Sequence, residues 1–196
     1  LSRSLGYLRP ETSTLFLCDI QERFRPLIFQ SETVIKRAVF MNELSKVLEI
    51  PTITTEHYRD VFGPTVGDFN LTGRIFQKRQ FSMMTDEVTE YLNSLNRNQV
   101  LLCGIEAHAC VLQTAMDLIS QGKEVHVICD TVSSQKAYDR TVAMERLKDI
   151  GVYFTTSESV MFQLLRSSKH PSFKSCAQLL KNANNELNGF ANQTTL

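Results

Sequence analysis

The chain has 196 residues, a length typical of a single domain, and its 21 Lys and Arg residues balance 21 Asp and Glu residues. A neutral chain offers no basic surface for phosphate contacts, so the composition argues against nucleic-acid binding. Hydrophobic residues make up 42% of the sequence, but no apolar run is long enough for a transmembrane helix, and we expect no membrane association. The N-terminus lacks a signal-peptide pattern. We therefore expect a cytoplasmic protein, with a mitochondrial location as the alternative if a targeting segment has been removed.

Segments rich in β-branched and apolar residues alternate along the chain with segments of helical periodicity. In chain order, the pattern predicts strand 14–19, helix 32–48, strand 51–55, a loop with Gly and Pro residues at 59–73, strand 74–78, helix 85–95, strand 99–104, helix 109–121, strand 124–130, helix 137–150, strand 152–155, helix 157–165 and a short helix at 172–181. This alternation predicts an α/β fold with a mainly parallel sheet of five or six strands. We expect one domain at 1–181 and a polar, Asn-rich, flexible tail at 182–196.

Several chemically active side chains are predicted at the ends of these strands. Ligands of parallel α/β sheets bind at the carboxyl ends of the strands. Those ends carry Asp19, the Glu56–His57 pair, Lys78, the segment 104–110 and Asp130. An acid, a lysine and a cysteine are therefore expected at the edge of the sheet where a site would form.

The five cysteines, an odd number without a CxxC pair, indicate free thiols in a reducing compartment. Cys110 lies near the start of the predicted helix 109–121, where unpaired N–H groups favour a thiolate and can stabilise an oxyanion. Its position is equally compatible with a small buried hydrophobic residue. Asp19 is either a general base or a turn acid, and Lys78 is either a cation that lowers the pKa of a thiol or a solvated side chain. Strand alternation should point Cys18 away from this site.

Three motifs in this chain occur in an order that is typical of a known family. They are CDIQ at 18–21, KRQFS at 78–82 and GIEAHACV at 104–111. In these motifs the chain resembles the isochorismatase-like cysteine hydrolase superfamily, and it is most similar to the eukaryotic isochorismatase domain-containing proteins. The resemblance covers about residues 14–181.

The resemblance implies a three-layer sandwich, in which helices flank a six-stranded, mainly parallel sheet, and an Asp-Lys-Cys triad. It assigns Asp19 as the base that takes the thiol proton, Lys78 as the cation that stabilises charge and Cys110 as the nucleophile. It also implies a cis peptide bond between Ile105 and Glu106. That bond would turn the N–H of Glu106 toward an oxyanion hole shared with the N–H of Cys110.

By the same resemblance, the implied reaction is hydrolysis of a C–N bond of amide type in a small molecule through a thioester. Isochorismatases proper cleave a vinyl ether and many lack the cysteine, so Cys110 argues against that activity. The competing hypotheses are a non-catalytic binding or scaffold protein with this fold, and a thiol-redox sensor, which would lack a resolving cysteine nearby in sequence. Relatives commonly form dimers or tetramers, so we expect a homo-oligomer.

A metal ion and other cofactors are not expected. Nicotinamidases of the superfamily hold a metal with an Asp-x-His pattern after the second strand, where this chain has Glu56 and His57. We predict that His57 instead belongs to a pocket wall. The candidate members of that wall are Phe24, His57, Tyr58, Phe62 and Phe81, and plain packing accounts for each of the aromatic residues at least equally well.

Overall fold

Six parallel strands form one sheet in the computed structural model, which describes residues 5–184. The strands are β1 Ser13–Cys18, β2 Thr52–His57, β3 Arg74–Lys78, β4 Gln99–Ile105, β5 Glu124–Ser133 and β6 Tyr153–Thr155. Their order across the sheet is β3-β2-β1-β4-β5-β6, and every neighbouring pair is parallel. The predicted six-stranded parallel sheet is confirmed.

Helices cover both faces of this sheet. They are α1 Ser31–Val47, α2 Arg59–Phe62, α3 Asp86–Ser94, α4 Leu112–Ser120, α5 Ala137–Asp149, α6 Ser157–Leu165 and α7 Phe173–Asn184. The apolar sides of α1, α6 and α7 pack on one face, and those of α3, α4 and α5 pack on the other. The predicted three-layer sandwich is therefore correct. Within residues 5–184, no helix combines the length and the apolar character that crossing a membrane requires.

The central strand β1 is buried on both faces because helices cover each side of it. Leu15 and Leu17 pack toward α1, whereas Phe16 and Cys18 pack toward α4. A strand covered on both sides has a nearly continuous apolar sequence, which explains why this segment shows no alternation of polar and apolar residues.

The structure departs from the predicted elements in several places, and β5 runs to Ser133, three residues beyond its predicted end. The predicted loop 59–73 begins with the short helix α2, and the predicted helix 109–121 begins as a π-helical turn at Ala107–Val111 before α4. The last helix continues to Asn184, three residues beyond the predicted domain end. The rest of the predicted tail lies outside the described residues.

Candidate active site

The strand order creates a crevice at one edge of the sheet. From β1 the chain passes outward through β2 to β3 and then crosses back to β4, on the other side of β1. Such a switch point is the usual ligand site of an open parallel sheet, because the connections diverge there. Asp19 directly follows β1, Cys110 lies shortly after β4, and Lys78 ends β3. The topology thus brings the three predicted site residues to the same edge.

The Asp19 side chain is held by three groups in the protein interior. Its Oδ2 atom lies 2.6 Å from Lys78 Nζ, its Oδ1 atom accepts a hydrogen bond from Thr55 Oγ1 at 2.8 Å, and the Cys18 thiol donates to Oδ2 at 3.6 Å. Asp19 is 1% exposed, and a buried carboxylate requires such partners. Its φ of 53° lies in the left-handed region, so the backbone turns out of β1 at this residue.

Lys78 contributes a fully buried ammonium group. In addition to Asp19, three groups lie within hydrogen-bonding distance of Nζ: Gln80 O at 3.1 Å, Phe81 O at 2.7 Å and His57 Nδ1 at 3.5 Å. Burial acts to lower the pKa of Lys78, but the nearby Cys18, Asp19 and Cys110 groups outweigh burial and raise it. The ammonium is therefore the stable form at neutral pH.

Cys110 lies in the π-helical turn Ala107–Val111 that connects β4 to α4. Turns of this kind often occur at functional sites. The backbone carbonyl of Cys110 accepts a hydrogen bond from Thr114 Oγ1 at 2.6 Å, which fixes the turn against α4. Cys110 is 6% exposed, and its thiol is near enough to contribute to the raised pKa of Lys78. The acid, the lysine and the cysteine predicted from the sequence thus share one site.

The Cys18 thiol also lies in this site, and the prediction that it points elsewhere is wrong. Cys18 lies in the same buried cluster as Phe16 and Cys110, and its thiol is close enough to the Cys110 side chain to interact with it. The alternation rule fails because Asp19 has a left-handed φ, so its side chain does not continue the pleat of β1. Burial, with a smaller contribution from Cys110, raises the pKa of the Cys18 thiol well above its usual value.

The peptide bond between Ile105 and Glu106 is trans, so the predicted cis bond is wrong. Glu106 instead adopts a φ of 56° and a ψ of 69°, and this left-handed conformation turns the chain from β4 into the π-helical turn. The side chain of Glu106 accepts a hydrogen bond from Gln135 Nε2 at 2.7 Å, away from the thiols. The oxyanion hole expected from the N–H groups of Glu106 and Cys110 stays a prediction.

Aromatic rings form a contiguous cluster beside the buried ammonium group. The His57 ring stacks on Phe62 and on Phe81, with centroids 5.8 Å and 5.7 Å apart, and it meets Tyr58 edge-on at 5.0 Å. Phe24 stacks on Phe62 at 4.6 Å. Burial and the nearby ammonium charge lower the pKa of His57, so its imidazole is neutral at pH 7. The structure brings together the residues that the sequence suggested for a pocket wall.

The arrangement of strands and site residues agrees with a match to a family model. The model described as the isochorismatase domain matches residues 13–159. The chain belongs to the isochorismatase family. The matched span contains all six strands and the residues of the candidate site, so family membership confirms the resemblance inferred from the three motifs.

Relatives in the isochorismatase family align with almost the full chain. The secreted isochorismatase effector Isc1 of Phytophthora sojae is 43% identical, over 96% of this chain and 94% of the relative. Isochorismatase domain-containing protein 2 of Danio rerio is 44% identical, over 90% of each chain.

Solved structures show the same fold. A structure described as the MAR1 ribonuclease of Caenorhabditis elegans has a TM-score of 0.86 and 37% identity, over 90% of this chain and 93% of that chain. The YcaC gene product of Escherichia coli, described as an octameric hydrolase of unknown specificity, has a TM-score of 0.80 over 95% of this chain and all of that chain. At 16% identity, the second likeness concerns the fold alone.

The residues at the end of β2 do not fit the metal site that isochorismatase-fold nicotinamidases build there. The Glu56 carboxylate forms an ion pair with Arg59 and accepts a hydrogen bond from the N–H of Thr65 at 2.7 Å. The Nδ1 atom of His57 faces the Lys78 ammonium rather than an open position. Among the residues that the structure describes, no group of three or more His, Cys, Asp or Glu side chains could hold a metal ion. The absence of a metal stays a prediction.

Three residues that support the isochorismatase-family site were not identified from the sequence. Gln21 holds the end of β2, because its Oε1 atom accepts from the His57 N–H at 2.7 Å and its Nε2 atom donates to the His57 carbonyl at 3.0 Å. Thr55 bonds Asp19 from the neighbouring strand, which no sequence pattern signals. Thr114 lies four residues after Cys110, the spacing at which a helical threonine reaches back to a carbonyl, and this signal could have been found.

Proposed function

We propose that this isochorismatase-family protein is a cysteine hydrolase that cleaves a C–N bond, of amide type, in a small molecule through a thioester. The observation that carries the proposal is the buried Lys78–Asp19 ion pair beside the Cys110 thiol, at the switch point of the sheet. A base, a fixed cation and a thiol are the groups that nucleophilic cysteine catalysis requires.

The chemical steps follow from the position of each group. Asp19 takes the proton of the Cys110 thiol, and the Lys78 ammonium stabilises the resulting thiolate. The sulfur attacks the carbonyl carbon, and the N–H groups of Glu106 and Cys110 stabilise the oxyanion. Asp19 then protonates the leaving nitrogen, so that an amine or ammonia departs and a thioester remains. A water molecule, deprotonated by Asp19, hydrolyses the thioester and restores the thiol.

The burial of these groups favours a small substrate over a polymer. Asp19, Lys78 and Cys110 are 1%, 4% and 6% exposed, which leaves a narrow approach to the sulfur. The aromatic cluster of His57 and its neighbours lies beside this approach and suits the flat, apolar part of an acyl group. One relative is described as a ribonuclease, so RNA belongs among the compounds tested, although the neutral chain offers little attraction for it.

The assembly and the compartment are parts of the same proposal. We expect a homo-oligomer, as the resemblance to the family implies. We expect the cytoplasm because all five cysteines are free. A relative is described as a secreted effector, so both expectations need direct tests, by light scattering and by fractionation of tagged cells.

The decisive experiment is a parallel screen of wild type, Cys110→Ala and the control Cys129→Ala. Cys129 is a buried thiol outside the site, and burial raises its pKa to about 11. The substrates are amides, N-carbamoyl compounds, nicotinamide, isochorismate and a labelled RNA. Turnover of an amide or carbamoyl compound by wild type and the control, with none by Cys110→Ala, supports the proposal. No turnover of any C–N compound favours the alternative of a binding or scaffold protein, and equal turnover by all three proteins would refute a catalytic role for Cys110.

A further inference from the structure

A second thiol faces the proposed nucleophile, and the hydrolytic steps give it no role. The Cys18 and Cys110 side chains lie close enough to interact within one buried cluster, although the two residues are far apart in sequence. Cys18 also contacts the Asp19 carboxylate, with Sγ 3.6 Å from Oδ2. Burial raises the pKa of Cys18, as it does for Cys103, Cys129 and Cys176. Cys18 differs from these three because it lies beside both the proposed nucleophile and the proposed base.

The backbone around Gly104 keeps these two thiols together. Gly104 is the cross-strand partner of Cys18 in the pairing of β1 with β4. A Cβ atom at Gly104 would lie 2.4 Å from the Cys18 Cβ, so only glycine lets the strands approach this closely at that point. The chain then turns at Glu106, and Cys110 joins the buried cluster that contains Cys18.

The exposure of the two residues sets the order in which an oxidant would meet them. Cys110 is 6% exposed, whereas Cys18 has no exposed surface. A small hydroperoxide that enters the crevice therefore reaches Cys110 first, and Cys18 lies behind it. The Lys78 ammonium lies near both thiols, so it is the exposure of Cys110 that makes it the first of the two to meet the oxidant.

We propose that Cys18 is a resolving thiol for Cys110, so that a hydroperoxide converts the pair reversibly into a Cys18–Cys110 disulfide. This inference rests on the proposed function in one respect, the nucleophilic character of Cys110. Its consequence is that oxidation stops hydrolysis while protecting the sulfur from irreversible damage.

The chemistry balances with the hydroperoxide as the oxidant. The Cys110 thiolate attacks the O–O bond, which gives a sulfenic acid and releases an alcohol, or water when the oxidant is hydrogen peroxide. The Cys18 sulfur then attacks the Cys110 sulfur, and its proton passes to Asp19 Oδ2 and on to the departing hydroxide, which leaves as water. Because burial raises the pKa of Cys18, this nearby carboxylate is needed to remove the proton. The overall reaction of the two steps converts two thiols and one hydroperoxide into a disulfide, an alcohol and water.

The test uses mass spectrometry of the full chain and needs no substrate. Reduced protein is treated with hydrogen peroxide near neutral pH, the remaining thiols are alkylated, and intact masses and non-reduced peptides are measured. The variants are wild type, Cys18→Ser, Cys18→Ala and the control Cys129→Ser. Wild type and the control should lose two hydrogens, yield a peptide that links Cys18 to Cys110, and recover both thiols with dithiothreitol. Both Cys18 variants should instead gain two or three oxygens at Cys110, and this gain should resist dithiothreitol.

Two outcomes would overturn the inference. One is a wild-type protein that gains oxygen at Cys110 as fast as the Cys18 variants do, without a linked peptide. The other is a wild-type disulfide that joins a different pair, such as Cys103 with Cys129. If both Cys18 variants fail to fold, the linked peptide in wild type still decides the question. If mass spectrometry finds the linked peptide but the substrate screen finds no hydrolysis of any amide, the proposed function is refuted and this inference stands.

Discussion

The buried ion pair between Lys78 and Asp19 gives the sharpest prediction about stability. Both side chains are almost fully buried, and the charged atoms are 2.6 Å apart, so at an effective dielectric constant of about 20 their attraction is about 6 kcal/mol before desolvation is subtracted. Lys78→Met removes the cation and leaves the Asp19 carboxylate buried with the Thr55 hydroxyl and a thiol as its partners. Breaking one side of a buried pair costs about 3–5 kcal/mol, and we expect this loss in the free energy of unfolding at pH 7.

A double-mutant cycle separates this effect from the loss of packing. The double variant Asp19→Asn with Lys78→Met has no buried charge, so it should be more stable than Lys78→Met alone, with a coupling energy of about 2 kcal/mol or more. The matched control is Arg25→Met, which removes two partly exposed ion pairs, with Asp68 and with Glu32, and should cost no more than about 1–2 kcal/mol in total. Urea denaturation at pH 7 gives the free energy of unfolding of wild type, Lys78→Met, Asp19→Asn, the double variant and Arg25→Met. The reasoning would be refuted if Lys78→Met lowered the free energy of unfolding no more than Arg25→Met does. It would also be refuted if the loss in the double variant equalled the sum of the two single losses.

Three further predictions concern the site and its support. Asp19→Asn and Cys110→Ala should each abolish turnover of any substrate found. Product release measures turnover, and circular dichroism checks that each variant is folded. Full activity in either variant would remove that residue from the mechanism. Gly104→Ala should lower the free energy of unfolding by about 3 kcal/mol, because the added Cβ meets Cys18 at 2.4 Å; a loss below about 1 kcal/mol would show that β1 and β4 can separate at this point. Below about pH 6.5 an unfolded His57 binds a proton, whereas the folded residue, whose pKa is lowered by burial and Lys78, stays neutral to lower pH. Stability should therefore fall as the pH drops through this range, and His57→Phe, which keeps the ring stacking, should flatten that fall in denaturation curves at pH 5–7; an unchanged slope would contradict the buried neutral state.

The sequence predicted the sheet well because its strands are short segments of β-branched, apolar or alternating residues, bounded by turn residues or helices. Arg74–Lys78 was predicted with the bounds that the structure shows, and Thr85 is the N-cap of α3, with its side chain accepting from the Val88 N–H. The site residues could be found because parallel strands end at a common edge, so Asp19 and Lys78 were already expected near Cys110.

The parts that the sequence could not provide depend on the backbone conformation of single residues. Alternation placed Cys18 on the wrong side because the left-handed φ of Asp19 interrupts the pleat. Aspartate adopts this conformation more often than most residues, but nothing in the sequence marks this aspartate as one that does. The bond before Glu106 is trans instead of the expected cis, and Glu106 itself has a left-handed conformation that the sequence does not signal. The hydrogen bond between Thr55 of β2 and Asp19, which follows β1, can be predicted only after the register of the two strands is known.

The carbonyl contacts of Lys78 have a consequence for how specificity can change. The same ammonium that pairs with Asp19 also holds the carbonyls of Gln80 and Phe81, 3.1 Å and 2.7 Å away. The backbone that carries the Phe81 ring is thus tethered to the charge that the reaction requires. A change of substrate preference through this segment would have to preserve the contacts with Lys78. We therefore expect substrate preference to change through Phe24 and Phe62, which stack on each other and are not hydrogen-bonded to the ammonium.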